Sequence, residues 1–200
     1  MSAVSWGTLA LGYHIVSRLA YVLGIGWALR RQDRTGYFTR RYGRDAGFRR
    51  FRRMGSLLMA NDGVSFIALC LTSRTTLPGA IPYGALLASG TVLMVVGVLT
   101  KLWARATLGA GAYYWQDFFI DTTPTAPIGA GPYRFLENPM YTVGYLQAYG
   151  FALATASLPG LVAAGIDQGA ILAFYRAIEK PRIESRRRLS ANLPVPSSRP

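Results

Sequence analysis

The sequence holds one cysteine, Cys70, and one histidine, His14, among 200 residues. A single thiol rules out an internal disulfide and any cysteine-built zinc site. A single imidazole leaves no histidine cluster for a metal. Acidic side chains are scarce too: 9 Asp and Glu stand against 22 Lys and Arg, for a formal charge of +13. A soluble protein with 51% hydrophobic residues is not normally this basic. An integral membrane protein with basic cytoplasmic loops accounts for both facts. Nucleic-acid binding, the other common use of a basic chain, is disfavoured because long arginine-free stretches separate the arginine clusters. The first apolar run is too long for a cleavable signal peptide and lacks its basic start. The length fits one domain.

The apolar runs are long. The first covers residues 4–29, enough to cross a hydrocarbon core at ~1.5 Å per residue. Arg18 lies in the middle of it, one turn from His14 on the same helical face. A mid-span arginine needs a partner, and Asp62, in the second run at residues 54–72, is the expected one. The third run, residues 83–103, carries Gly84, Gly90 and Gly97, small residues that let helices approach. The last, residues 140–178, is too long for one crossing. Ser157-Leu158-Pro159-Gly160 divides it into two helices with a tight turn between them. Asp167 and Gln168 interrupt the second of these and should hydrogen-bond across the bundle. The expected architecture is an all-α integral membrane bundle of about five transmembrane helices closed by a C-terminal hairpin.

Residues 30–53 carry ten arginines among Tyr37, Phe38, Tyr42, Phe48 and Phe51. Cations mixed with rings suit an anionic membrane surface and a short interfacial helix. This cluster, Lys101, Arg105 and the basic tail from Lys180 share one side if the N-terminus is outside and the C-terminus cytoplasmic; a bacterial inner membrane is the expected setting. Residues 1–189 form a single domain, and the Pro/Ser-rich residues 190–200 are expected to be a disordered tail.

The chain turns on Gly131-Pro132-Tyr133-Arg134-Phe135-Leu136-Glu137-Asn138-Pro139-Met140-Tyr141. Two prolines stiffen it. Pro139 suits the first turn of a helix with Asn138 as its cap, and a helix N-terminus attracts carboxylates. Upstream, Leu108-Gly109-Ala110-Gly111-Ala112-Tyr113-Tyr114-Trp115-Gln116-Asp117 packs two glycines, three rings and an acid together. The hairpin returns the chain to the side it left, so Asn138 and Tyr141 should share a depth with Glu179 and Lys180. Three polar, ring-rich segments then converge on one mouth, open to soluble molecules and, between helices, to lipid.

From residue 93 to 187 the sequence resembles the integral-membrane methyltransferases: the phosphatidylethanolamine N-methyltransferases and their isoprenylcysteine carboxyl methyltransferase relatives. Gly131-Pro132-Tyr133-Arg134 resembles the shared Gly-Pro-Tyr motif. Leu136-Glu137-Asn138-Pro139-Met140-Tyr141 is close to Leu-Asp-Asn-Pro-Met-Tyr of the phospholipid enzymes, and Leu108-Gly109 with Asp117-Phe118-Phe119 resembles their Leu-Gly…Asp-Tyr-Phe segment. Residues 175–181 are similar to Tyr-x-x-x-Glu-Glu-Pro, with Lys180 in place of the second glutamate. The carboxyl methyltransferases usually have Arg-His-Pro at Glu137-Asn138-Pro139, so the likeness leans to the phospholipid branch.

The resemblance implies S-adenosylmethionine as donor, a membrane lipid as acceptor, and N-methylation of an amine headgroup at the cytoplasmic face. It places Gly97, Gly109, Gly111, Tyr133, Arg134, Asn138, Pro139, Glu179 and Lys180 at the donor. Physically, the turn at Asn138 to Tyr141 suits the donor carboxylate with Arg134 as a further cation, Glu179 suits ribose hydroxyls or the ammonium, and Gly97 and Gly109 would let backbone approach the ligand. Tyr113, Tyr114 and Trp115 suit either a cation or an interfacial aromatic belt. An amine acceptor arrives protonated and needs a base; Asp117 and Glu137 are the candidates, with Tyr141 beside them as a third catalytic candidate. Two rivals stand: a carboxyl or other hydrophobic small-molecule methyltransferase, and a degenerate scaffold without catalysis, for which Lys180 and Val95 speak. Oligomeric state is not written in the sequence.

Overall fold

The structure is a computed structural model that describes residues 5–79, 81–120 and 129–191. The described residues hold only helices and turns. They are α1 (Trp6–Thr35), α2 (Tyr37–Tyr42), α3 (Arg44–Thr72), α4 (Tyr83–Ala112), α5 (Leu146–Ala154), α6 (Leu158–Phe174) and α7 (Lys180–Ala191). A single π turn, Tyr175–Glu179, joins α6 to α7, so that Leu158–Ser185 runs as one long rod. With α1, α3 and α4 this makes four helices long and apolar enough to cross a membrane. The bundle is inside out relative to a soluble protein. Leu9, Val16, Leu23 and Trp27 of α1 and Val92, Leu99 and Trp103 of α4 are exposed, whereas His14, Ser17, Asp62, Ser65 and Asp167 are buried. Apolar surroundings for the first set and partners for the second are what a bilayer demands.

The expected fifth transmembrane helix is not among the four long enough to cross; its residues form a shorter, broken segment. Asn138 caps a turn, as its side chain predicts, with Oδ1 accepting from the Tyr141 N–H at 3.1 Å. That turn does not continue into a helix. Thr142 takes φ −101°, ψ −96°, a 3-10 turn follows at Val143–Tyr145, and regular helix begins only at Leu146. Tertiary packing accounts for the break. Gly144 is pressed against Lys101, whose Cγ would lie 2.9 Å from any added Cβ, and against the Pro139 carbonyl oxygen at 3.1 Å. Further along, α5 lies on α4 through facing glycines: a Cβ on Gly90 would come within 2.6 Å of the Gly150 carbonyl oxygen.

Several contacts pin the ends of the bundle. Ser157 caps α6, accepting from the Gly160 N–H at 2.9 Å, and its hydroxyl meets that of Ser73 at 2.7 Å. The turn between α5 and α6 therefore sits beside the end of α3, far from the arginine-rich residues. At the opposite end Phe51 is wholly buried among Phe119 and Trp115, with Trp115 edge-on to Phe174. This aromatic plug fastens the segment after α4 to α3 and α6. Residues 192–200, most of the tail expected to be disordered, and residues 121–128 lie outside the described residues.

Candidate functional site

Gly109 begins the site by breaking α4. Its φ of +81° and ψ of 160° suit glycine alone, and past it the chain turns across the bundle. Gly111 is required by its neighbour, since a Cβ there would fall on the Gln116 side-chain oxygen. Trp115, at φ +54°, then drops its indole into the aromatic plug. The three segments expected to converge do so on Glu179. Its Oε1 accepts from Trp115 Nε1–H at 2.9 Å and from the Tyr141 hydroxyl at 2.8 Å. The π turn, a feature often found at functional positions, lets Ile178 bury in the core while the adjacent Glu179 also faces inward.

Beside this cluster lies a cavity of about 410 Å³ walled by Tyr113, Tyr114, Trp115, Tyr141 and Tyr145, with Arg18, Asp62, Lys101 and Asp167 deeper in. Trp115 is therefore part of the core, and Tyr113 and Tyr114 face the cavity as well as the mouth. Tyr141 is the point where the Asn138 turn and the Glu179 carboxylate meet the cavity wall.

The remaining expected residues fall into three places. Tyr133 has a buried hydroxyl with no hydrogen-bond partner among the described residues. Burial, with the Glu179 carboxylate adding to it, pushes this phenol above the usual tyrosine range, so it stays protonated. Glu137 stands on the surface, where its Oε1 takes Lys180 Nζ at 3.0 Å and the Tyr175 hydroxyl at 3.2 Å; Lys180 is thus paired with Glu137. Arg134 is exposed at the rim, and Pro139 is wholly buried beneath it. Asp117 is half-buried in a 3-10 turn whose carbonyl oxygen accepts from Arg182 at 3.1 Å. Neither Asp117 nor Glu137 lines the cavity. Gly97 faces α5: a Cβ there would meet the Gln147 backbone nitrogen, so its close approach is to helix, not to a hollow.

The pairing of Arg18 with Asp62 is present at 2.9 Å and is part of something larger. Arg18 Nη2 also contacts Asp167 at 2.7 Å and donates to the Tyr145 hydroxyl at 2.9 Å. Asp167 meets His14 Nε2 at 3.1 Å, and His14 Nδ1 meets the Ser65 hydroxyl at 2.9 Å. Gln168 bonds across the bundle as expected, accepting from the Tyr149 hydroxyl at 2.9 Å and donating to the Tyr141 carbonyl at 3.1 Å. Sequence reasoning missed Lys101 and Tyr145 as cavity residues. The available signal was position: Lys101 sits two turns inside the end of an apolar helix, too deep for a simple loop marker.

A family model described as phospholipid methyltransferase matches residues 85–186. Among curated proteins, the chain is 30% identical over 189 residues to a phosphatidylethanolamine N-methyltransferase of Podospora anserina, covering 90% of this chain and 20% of that protein. It is 31% identical over 186 residues to one of Pyricularia oryzae, covering 90% and 19%. It is 32% identical over 178 residues to one of Chaetomium globosum, covering 85% and 19%. The chain thus spans about a fifth of the length of these fungal relatives. No solved structure matches it.

Proposed function

Because the chain belongs to the phospholipid methyltransferase family, we propose that it transfers a methyl group from S-adenosylmethionine to the amine of a phosphatidylethanolamine-type headgroup. The observation that carries this reading is the half-used Glu179 carboxylate beside a cavity. Both protein donors land on Oε1, and among the described residues Oε2 has no hydrogen-bond partner. With the orphaned Tyr133 hydroxyl, this leaves an acceptor and a donor for a polar ligand, which fits the ribose hydroxyls and ammonium of such a nucleotide.

When bound, the donor supplies an electrophilic methyl on a sulfonium. The chain supplies everything else. Glu179 and Tyr133 anchor, and the Asn138–Pro139 turn, closed by the Tyr141 N–H on Asn138 Oδ1, sets the Tyr141 hydroxyl on Glu179. Arg134 and the Glu137–Lys180 pair frame the same rim, while Gly109 and Gly111 permit the turn that brings Trp115 in. Tyr113, Tyr114 and Trp115 give ring faces to a cationic centre, each contributing about 0.5–2 kcal/mol, and they exclude water from the reacting pair. The basic end of the bundle is proposed to face the cytoplasm, a reading the arginine distribution supports; the inner membrane of a bacterium would offer such a leaflet.

The acceptor ammonium must lose a proton before attack. Asp117, in the turn after Trp115, and Glu137 at the rim are proposed to accept it before the donor and acceptor close on each other. The double variant D117N/E137Q should lower kcat by about 10²–10⁴-fold and shift the pH profile. Unchanged turnover and an unchanged profile would remove both from the mechanism.

The reading as a whole is tested by incubating purified protein with methyl-labelled S-adenosylmethionine and a membrane lipid extract. Label is expected in methylated phosphatidylethanolamine. Label confined to base-labile esters would make the protein a carboxyl methyltransferase, and absence of donor binding would make it a scaffold.

A further inference from the structure

The cavity is not closed on all sides. α3 and α4 are not among the closely packed helix pairs of the described residues, and the cavity lining includes Ser56, Ala60 and Gly63 of α3 and Lys101 of α4.

The charges around the cavity are unevenly satisfied. Arg18 is neutralised by Asp62 and Asp167. Lys101 has no carboxylate within ion-pair distance among the described residues; its Nζ lies 5.5 Å from the Tyr145 ring centre. Gly144 presses on its stem, so the ammonium is directed at the cavity rather than free to reach the surface. A cation fixed in an apolar wall calls for an anion from outside the protein. Asp62 Oδ2 is held by Arg18, while Oδ1 is buried with no partner among the described residues. One lining cation without an anion and one carboxylate oxygen without a donor form the complement of a zwitterion.

We propose that Lys101 and Asp62 form the acceptor-headgroup subsite, Lys101 taking the phosphate and Asp62 the ammonium of an amine phospholipid whose chains leave between α3 and α4. This rests on the proposed function and adds the residues that choose its lipid. Tyr145 links the two halves, carrying Lys101 on its ring face and bonding Arg18, the partner of Asp62, through its hydroxyl.

The test uses the whole protein in detergent and reads lipid retention by native mass spectrometry. Three probes share one acyl composition: phosphatidylethanolamine, phosphatidic acid and diacylglycerol. Wild type should retain both phospholipids at least tenfold better than diacylglycerol, with phosphatidylethanolamine ahead of phosphatidic acid. K101M and K101Q should lose the advantage of both phospholipids, and K101R should restore it. D62N should lose only the preference for phosphatidylethanolamine over phosphatidic acid. Donor affinity, measured by calorimetry, should be unchanged in every variant. Retention unaffected by K101M or K101Q overturns the proposal. So does a loss of donor affinity in those variants, because Lys101 would then be holding the donor carboxylate. Retention is read without turnover. Wild-type protein that selects phospholipid yet transfers no methyl would therefore count against the proposed reaction and not against this subsite.

Discussion

Replacing Glu179 by glutamine should cut kcat/KM by roughly 100- to 10,000-fold while leaving the fold intact. The carboxylate is held from one side only, through Oε1, by Trp115 and Tyr141. Glutamine keeps the size of the side chain and a carbonyl oxygen for both donors. What it loses is the negative charge proposed to hold the donor. Hydrogen bonds to a charged group contribute about 1.5–3 kcal/mol each, and two of them convert to the stated range at 1.4 kcal/mol per decade. The loss should appear as weakened S-adenosylmethionine binding by calorimetry, with the thermal unfolding midpoint unmoved. An E179Q protein that binds donor as wild type does would break the link between this carboxylate and the nucleotide.

The second large effect is on stability. Changing Arg18 to leucine removes the cation from a cluster in which it contacts Asp62 at 2.9 Å and Asp167 at 2.7 Å. Two carboxylates are then left beside each other inside an apolar bundle. Taking one partner from a buried ion pair costs about 3–5 kcal/mol. R18L should therefore unfold far earlier than wild type in detergent micelles. The triple variant R18L/D62N/D167N should recover a large part of the difference, because it removes the orphaned charges as well. If R18L alone stays within about 1 kcal/mol of wild type, the network is not the structural element that its geometry indicates.

Much of this architecture is legible in the sequence because a bilayer asks simple questions. Length and apolar content locate α1, α3, α4 and α6, and Ser157 with Pro159 locates the turn between α5 and α6. The convergence of the Trp115, Tyr141 and Glu179 segments also follows from counting crossings, since a hairpin must return to the side it left. What cannot be read is where neighbouring atoms overrule local preference. Asn138-Pro139 promises a helix and delivers a single turn, because Gly144 must accommodate the Lys101 stem. Gly97 has the look of a ligand approach and is spent on Gln147. The π turn at Tyr175–Glu179 has no compositional mark at all; its place is fixed by what Ile178 and Glu179 must each reach. Arg18 announces its need for an acid, but a second acid, a phenol and a histidine become its neighbours only when three distant helices meet.

That meeting has a mechanical side. Arg18 on α1, Asp62 on α3 and Asp167 on α6 key three helices to a common height, since sliding any one of them would drag a bare charge through hydrocarbon. α4 takes no part in that lock among the described residues; it is held to α5 by facing glycines and by the Tyr83 hydroxyl, which donates to the Ala154 carbonyl oxygen at 3.2 Å. Three helices are thus held at one height by charge, and the fourth by close backbone contact with its neighbour.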